Sequence, residues 1–375
     1  MAAIVIPKAL LPSDGRFGSG PSKVRPEALA ALSQRGAGII GTSHRQAPVR
    51  DLVGRVRAML GELFSLPDGY EIVLGNGGSA CFWDIATFCL IQEKSQHCTF
   101  GEFSAKFAEG VERAPHLGAP AVRSAPYGER IDPEADERVD AYALIQNETS
   151  TGVAVAPQRP RHADGSTARG LVLVDGTSAA GGMRIRLEET DAYYFAPQKC
   201  FGSDGGLWLA ALSPAAIERA ERLVSERYVP AFLDLTAAIE NARLNQTYNT
   251  PAIVTLLLLA DQLEWILTNG GLEWAAQRAE RSAAHLYDWA ERSDAATPFV
   301  AKADDRSPVV ATIDIAAEID AAAIAKTLRD NGVVDTEPYR RLGRNQLRIG
   351  MYPTVDPDDV VALTACIDHV VAALA

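Results

Sequence analysis

The run Gly170-Leu171-Val172-Leu173-Val174 is apolar at every position and stops at Asp175, followed by Gly-Thr-Ser-Ala-Ala-Gly-Gly. A strand with one wet face alternates polar and apolar residues. A short strand without alternation belongs in a sheet covered on both faces, and such sheets are mostly parallel with helices packed above and below. The pattern recurs. Glu71-Ile72-Val73-Leu74 runs into Gly75-Asn76-Gly77-Gly78-Ser79 and then a helical stretch. Ala141-Tyr142-Ala143-Leu144-Ile145 runs into Gln146-Asn147-Glu148-Thr149-Ser150-Thr151-Gly152, and Thr99–Phe107 sets Phe103 at the mouth of another short strand. Up to about Leu212 the expectation is therefore α/β, with a mostly parallel sheet.

Open α/β sheets bind ligands beyond the carboxyl ends of their strands, and two residue types there carry chemistry. Asp175 is one; alone, it equally suits a helix N-cap or a turn. The other is Lys199, in Asp191–Gly206 (DAYYFAPQKCFGSDGG), between the apolar runs Tyr193–Ala196 and Gly206–Ala210. That reads as strand, turn, strand with a lysine at the turn. A loop lysine is ordinarily solvated. One desolvated by apolar neighbours has a lowered pKa and can condense with a carbonyl. A strand-end aspartate and a strand-end lysine about two dozen residues apart are what a pyridoxal phosphate site requires, because the carboxylate keeps the ring nitrogen protonated and the ring can then draw off electrons.

Other stretches suit anions. Gly75–Ser79 leads a strand into a helix whose free N–H groups make an anion site, and a tight strand–helix connection explains it equally well. It is neither GxxxxGK[ST] nor GxGxxG. Thr42-Ser43-His44-Arg45-Gln46-Ala47-Pro48 is a loop placing a histidine beside an arginine fork suited to phosphate or carboxylate, or simply a solvated loop. Thr247-Tyr248-Asn249-Thr250-Pro251 precedes a helix over 252–267, with Thr250 as N-cap and Pro251 as first helical residue. Near the end, Arg340, Arg341, Arg344 and Arg348 crowd into an acidic chain. The first three also suit a solvated face. Arg348 alternates with Leu347 and Ile349 in a strand and needs an anionic partner.

The formal net charge of −12 argues against non-specific nucleic-acid binding. Five cysteines without a CxxC pair suggest a reducing compartment, with neither a disulfide framework nor a zinc site. No secretory signal or membrane span is read, so a cytoplasmic protein is expected. The chain of 375 residues is long enough for two domains. The style changes after Leu212, and the expected division is an N-terminal arm over 1–15, a large domain over 16–269 and a smaller α+β domain over 270–375.

In order along the chain stand Gly18-Ser19-Gly20-Pro21-Ser22, Ser43-His44-Arg45, Asn147-Glu148-Thr149, Asp175-x-x-Ser178, Pro197-Gln198-Lys199, Tyr248-Asn249-Thr250-Pro251 and Arg348. With these the chain resembles phosphoserine aminotransferases, class V enzymes of the fold-type I pyridoxal phosphate group, and most closely their actinobacterial branch. The resemblance covers nearly the whole chain. It implies that Lys199 carries the cofactor covalently, Asp175 pairs with its ring nitrogen, Thr149 binds at the phenolic oxygen and Phe103 stacks on the ring. It assigns the cofactor phosphate to Ser79, Ala80, Gln198, and Asn249 and Thr250 of a second subunit, hence a homodimer with shared sites. Arg348 would take the substrate α-carboxylate; His44, Arg45 and the Arg340/Arg341 region would take the distal phosphate or the γ-carboxylate of glutamate. The implied reaction converts 3-phosphohydroxypyruvate and L-glutamate to O-phospho-L-serine and 2-oxoglutarate, in serine and, for a related phosphorylated oxo acid, pyridoxine biosynthesis. Phe103 stands where many relatives have tryptophan, and Ala80 where many have arginine. Three rivals remain. An alanine–glyoxylate, serine–glyoxylate or serine–pyruvate aminotransferase lacks the Ser-His-Arg stretch. A cysteine desulfurase wants a loop cysteine that neither Cys200 nor Cys366 supplies. A non-catalytic cofactor-binding protein is expected to lack Lys199, Asp175 or Arg348.

Overall fold

The computed structural model describes residues 4–374. The first half lays down α1 (Pro26–Arg35), α2 (Ala47–Leu63), β1 (Glu71–Asn76), α3 (Ser79–Cys89), β2 (Ser95–Thr99), α4 (Glu102–Glu112), β3 (Ala121–Ser124) and β4 (Ala141–Ile145). A two-strand hairpin, β5 (Asn147–Glu148) with β6 (Val153–Ala154), precedes β7 (Leu171–Asp175), β8 (Ala192–Phe195) and β9 (Leu207–Leu212). Then come α5 (Pro214–Glu226), α6 (Leu235–Arg243), α7 (Ile253–Thr268), α8 (Gly271–Arg292), β10 (Ala296–Pro298), β11 (Val310–Ile315), α9 (Ala321–Asp330), β12 (Gln346–Gly350) and α10 (Pro357–Leu374).

The main sheet has seven strands in the order β1-β9-β8-β7-β4-β2-β3. Only β9 runs against the rest, since it pairs antiparallel with both β1 and β8 while the remaining pairs are parallel. The unbroken apolar strands have the expected cause. Val172, Val174, Tyr193 and Phe195 join the core on one face with α2 and α7. Leu171, Leu173, Ala192 and Tyr194 join the core on the other face with α3, α5 and α6. Each fully buried valine, leucine or phenylalanine among them contributes about 1.5–3 kcal/mol. The layered, mostly parallel sheet is the α/β architecture that the sequence pattern anticipates.

A second, three-stranded sheet, β10-β11-β12, packs with α8, α9 and α10 around Ile313, Leu347, Ile349 and Leu363. Ile6 and Phe17 of the N-terminal segment enter this same core. The segment is pinned there by Asp359, which accepts hydrogen bonds from the Ser13 N–H and hydroxyl at 2.7 and 2.6 Å.

Two details depart from the sequence reading. Helix α7 starts at Ile253 without a side-chain cap, so Thr250 is not its N-cap. The Thr250 hydroxyl is taken by the His44 ring, 3.0 Å away, and its carbonyl accepts from the Asn76 side chain at 2.7 Å. Helix α6, absent from the sequence reading, is capped by Asp234, whose carboxylate accepts from the Thr236 and Ala237 N–H groups.

Candidate active site

Because six strands run together, their carboxyl ends share one edge. After β1 comes Ser79, opening α3; after β2, Phe103, in the first turn of α4; after β4, Asn147 and Thr149; β7 ends in Asp175; and β8 runs on to Gln198 and Lys199. These residues enclose a cavity of about 280 Å³, lined also by Ala80, Trp83, Thr177 and Ser178.

Lys199 lies at its wall. The Nζ donates to the Ser19 carbonyl at 2.8 Å, and the Tyr352 hydroxyl donates to that same oxygen at 2.7 Å. Burial, helped by the nearby Arg348 guanidinium, pulls the amine down to about 8. A carbonyl oxygen holds the amine without neutralising it, so part of the population is an uncharged nucleophile near neutral pH. Asp175 is almost fully buried. One oxygen accepts from the Thr177 N–H at 2.8 Å and from the Thr177 hydroxyl, the other from the Trp83 indole N–H at 2.9 Å. Burial raises its pKa and these donors oppose the rise.

Between them, the Ser178 hydroxyl accepts from the Asn147 amide at 2.8 Å and from the Thr149 hydroxyl at 2.7 Å. The Ser79 and Thr177 hydroxyls are in contact. Arg348 reaches in from β12. Its Nη1 donates to the Thr149 carbonyl at 3.3 Å, and its guanidinium lies 5.2 Å from the Tyr339 ring centre. Tyr339 in turn lies 5.8 Å from Phe103. Among the described residues Arg348 has no carboxylate partner, and its Nε is buried without an acceptor. Gln198 Oε1, Asn147 Oδ1 and Ser19 Oγ are likewise buried and unpartnered. Buried polar atoms are normally satisfied. This group of orphans around an amine and a carboxylate fits a polar, phosphorylated aromatic aldehyde such as pyridoxal phosphate.

Lys199, Asp175, Phe103, Thr149, Ser79, Ala80 and Gln198 are thus brought together as the sequence anticipates, with Arg348 close by. Four anticipated residues form a separate cluster. His44 contacts Thr250, and Arg45 donates to Asn241 at 3.0 Å, to Gln246 and to the Tyr248 carbonyl at 3.1 Å, next to Asn249. None of the four lines the cavity. Arg340 and Arg341 lie exposed on a short helical turn. Arg341 pairs with Glu102, which also pairs with Lys106 at 3.1 Å. Arg344 is bound to Asp314 at 2.6 Å.

Sequence reasoning named Asn147 and Ser178 within motifs but gave them no role, and singled out neither Trp83, Thr177 nor Tyr352. For Trp83 one signal existed: it stands four residues after Ser79, hence on the same face of α3. Tyr352 has one as well, since the alternation in Leu347–Tyr352 puts it on the face of Arg348.

Fold and site together define a pyridoxal phosphate-dependent transferase of fold type I. The chain matches the class-V aminotransferase family over residues 121–337. It is 60% identical to a phosphoserine aminotransferase of Nocardioides sp., with 98% of each chain covered. Among solved structures, the phosphoserine aminotransferase of Cytophaga hutchinsonii superposes with a TM-score of 0.85 at 23% identity, covering 95% of this chain and 99% of that one. The pyridoxal phosphate-bound phosphoserine aminotransferase of Trichomonas vaginalis does so with 0.80 at 18% identity, covering 95% and 99%. The two structures show the shared fold, and with the family match and the close relative the chain belongs to the phosphoserine aminotransferases of class V.

Proposed function

We propose that this protein transfers the amino group of L-glutamate to 3-phosphohydroxypyruvate, reversibly, giving O-phospho-L-serine and 2-oxoglutarate. The observation that carries the reading is Arg348, a largely buried guanidinium without a carboxylate partner among the described residues, beside the cavity that holds Lys199 and Asp175. It would take the α-carboxylate common to all four reactants. The 60% identity to a named phosphoserine aminotransferase supports the phosphorylated substrate.

Pyridoxal phosphate, when bound, supplies an electron sink for the electrons left as the substrate Cα–H bond breaks. Lys199 would hold it covalently and, once released by the incoming amine, move the proton from the substrate Cα. Asp175 would hold the proton on the ring nitrogen. Phe103 would cover a ring face, and Thr149 would donate to the phenolic oxygen. The N–H groups of Ser79 and Ala80 at the start of α3, with Gln198, would hold the phosphate.

The active unit would be a homodimer with shared sites. Asn249 and Thr250 would reach the cofactor phosphate of the neighbouring subunit. His44, hydrogen-bonded to Thr250, would go with them, and so would Arg45. That pair, with Arg340 and Arg341, would read the distal phosphate or γ-carboxylate. The division into 1–15, 16–269 and 270–375 and a cytoplasmic location belong to the same reading, without nucleic-acid or membrane partners. The division is supported by the two larger sheets, each with its own core; among the described residues no helix is long and apolar enough to cross a membrane.

The test is a transamination assay with L-glutamate as donor and 3-phosphohydroxypyruvate, hydroxypyruvate or glyoxylate as acceptor. Strong preference for the phosphorylated acid is expected. Equal turnover of hydroxypyruvate, or preference for glyoxylate, refutes the reading.

A further inference from the structure

The carboxylate of Asp175 is gripped at both oxygens, and by different elements. Thr177, two residues on, donates twice to Oδ1. Trp83, from α3, donates once to Oδ2 at 2.9 Å. The indole is itself held: it stacks on Phe107 of α4, with centroids 5.8 Å apart and an interplanar angle of 13°. The Trp83 backbone carbonyl accepts from the Thr87 hydroxyl at 2.7 Å. Trp83 and Asp175 both line the cavity.

The donor type matters. Indole N–H only donates and does not titrate. A lysine or arginine there would pair with Asp175 and cancel the charge that a ring nitrogen needs. A hydroxyl could turn and accept instead. Indole stabilises the anion, leaves it an anion, and leaves Oδ2 with a second lone pair for another donor. We propose that Trp83 is a positioning residue, whose N–H fixes the Asp175 carboxylate and sustains its negative charge for the cofactor's ring nitrogen. The inference rests on the reading of Asp175 as the ring-nitrogen partner.

The surroundings otherwise work against ionisation. Burial raises the Asp175 pKa, and the Glu148 carboxylate adds to the rise. The Tyr194 phenol, whose residue pairs with Asp175 across the sheet, is pushed well above its ordinary value and stays neutral, and among the described residues Lys199 is the amine on which Asp175 acts. Removing the indole donor therefore raises Asp175 further, and its anion is lost at a higher pH as pH falls.

The test uses apoprotein and 4′-deoxypyridoxine 5′-phosphate, a cofactor analogue without the aldehyde, so that binding reads the ring and phosphate contacts alone. Calorimetric titration of wild type and Trp83→Phe should show binding weakened about ten-fold at neutral pH, the gap widening as pH falls. In an Asp175→Asn background, Trp83→Phe should cost nothing more. No loss, a pH-independent loss, or a loss that persists in the Asp175→Asn background overturns the proposal. If Asp175→Asn itself binds like wild type, the ring-nitrogen reading fails and this inference with it. If Asp175→Asn is weak but Trp83→Phe is not, Trp83 alone is wrongly assigned.

Discussion

Glu148 is fully buried, and among the described residues it pairs with no cation. Donors satisfy it instead. Oε2 accepts from the Ser104 N–H at 2.9 Å and the Ser104 hydroxyl at 3.0 Å. Oε1 accepts from the Ser150 N–H at 3.2 Å, the Ser150 hydroxyl at 2.6 Å and, at 3.4 Å, the Phe103 N–H. The carboxylate thus caps α4 from outside and ties its first turn, which carries Phe103, to the hairpin that carries Thr149. Glu148→Gln keeps the shape and removes one acceptor oxygen. Whichever way the amide turns, its NH₂ faces a backbone N–H, from Ser104 on one side or Ser150 on the other. The hydroxyls can rotate away; the amides cannot. An unsatisfied buried N–H costs about 1–3 kcal/mol, and the remaining bonds lose their charge assistance. Relief from burying a charge offsets part of this, leaving a net loss of about 2–3 kcal/mol. Hydrogen–deuterium exchange of the apoprotein reads that loss locally, where an unfolding curve of so large a chain would blur it. Peptides over 100–108 should exchange about 30–150-fold faster in the variant, and those over β7 should not change. Exchange over 100–108 within about three-fold of wild type would refute the capping argument.

Four further outcomes are expected. The Lys199 amine is neutral above its pKa, so its reductive methylation in apoprotein should rise through a pH of about 8 and level off, and Arg348→Met, which removes a neighbouring cation, should move that inflection upward; mass spectrometry of the labelled peptide measures both. Gly20 has φ +142°, and a Cβ there would overlap the end of the Lys199 side chain, so Gly20→Ala should melt below wild-type apoprotein and take up added cofactor poorly; thermal melting and visible absorbance measure the two. Arg348→Ala should depress transamination of phosphorylated and unphosphorylated oxo acids alike, Arg45→Ala that of the phosphorylated acid far more; equal losses in Arg45→Ala refute the division of labour. Mixing Lys199→Ala chains with Asn249→Ala/Thr250→Ala chains should restore part of the activity, because one site of each hybrid dimer is intact; hybrids that form and stay inactive refute shared sites.

Much of this protein is local, and local features are legible in a sequence. The unbroken apolar run before Asp175 reports a strand buried on both faces, whatever its neighbours. Lys199 stands out because apolar strands flank it within a few residues. Arg348 does so because a charge amid Leu347 and Ile349 must meet something. Terminal detail is less secure: Thr250 looks like a cap, but the His44 ring, 206 residues away in the chain, takes its hydroxyl.

What tertiary structure alone decided are contacts between residues far apart. The Ser19 carbonyl receives Lys199 from 180 residues away and Tyr352 from 333. Trp83 finds Asp175 across 92 residues, and Glu148 finds α4 across 44. The physical reason is that periodicity encodes only which face of an element is buried. Which polar groups then meet at the edge of the sheet follows from strand order and direction, and β9 is the one strand that reverses. The residues expected to do the chemistry could be named from the sequence; the donors that set their charge and aim appeared only when the strands were assembled.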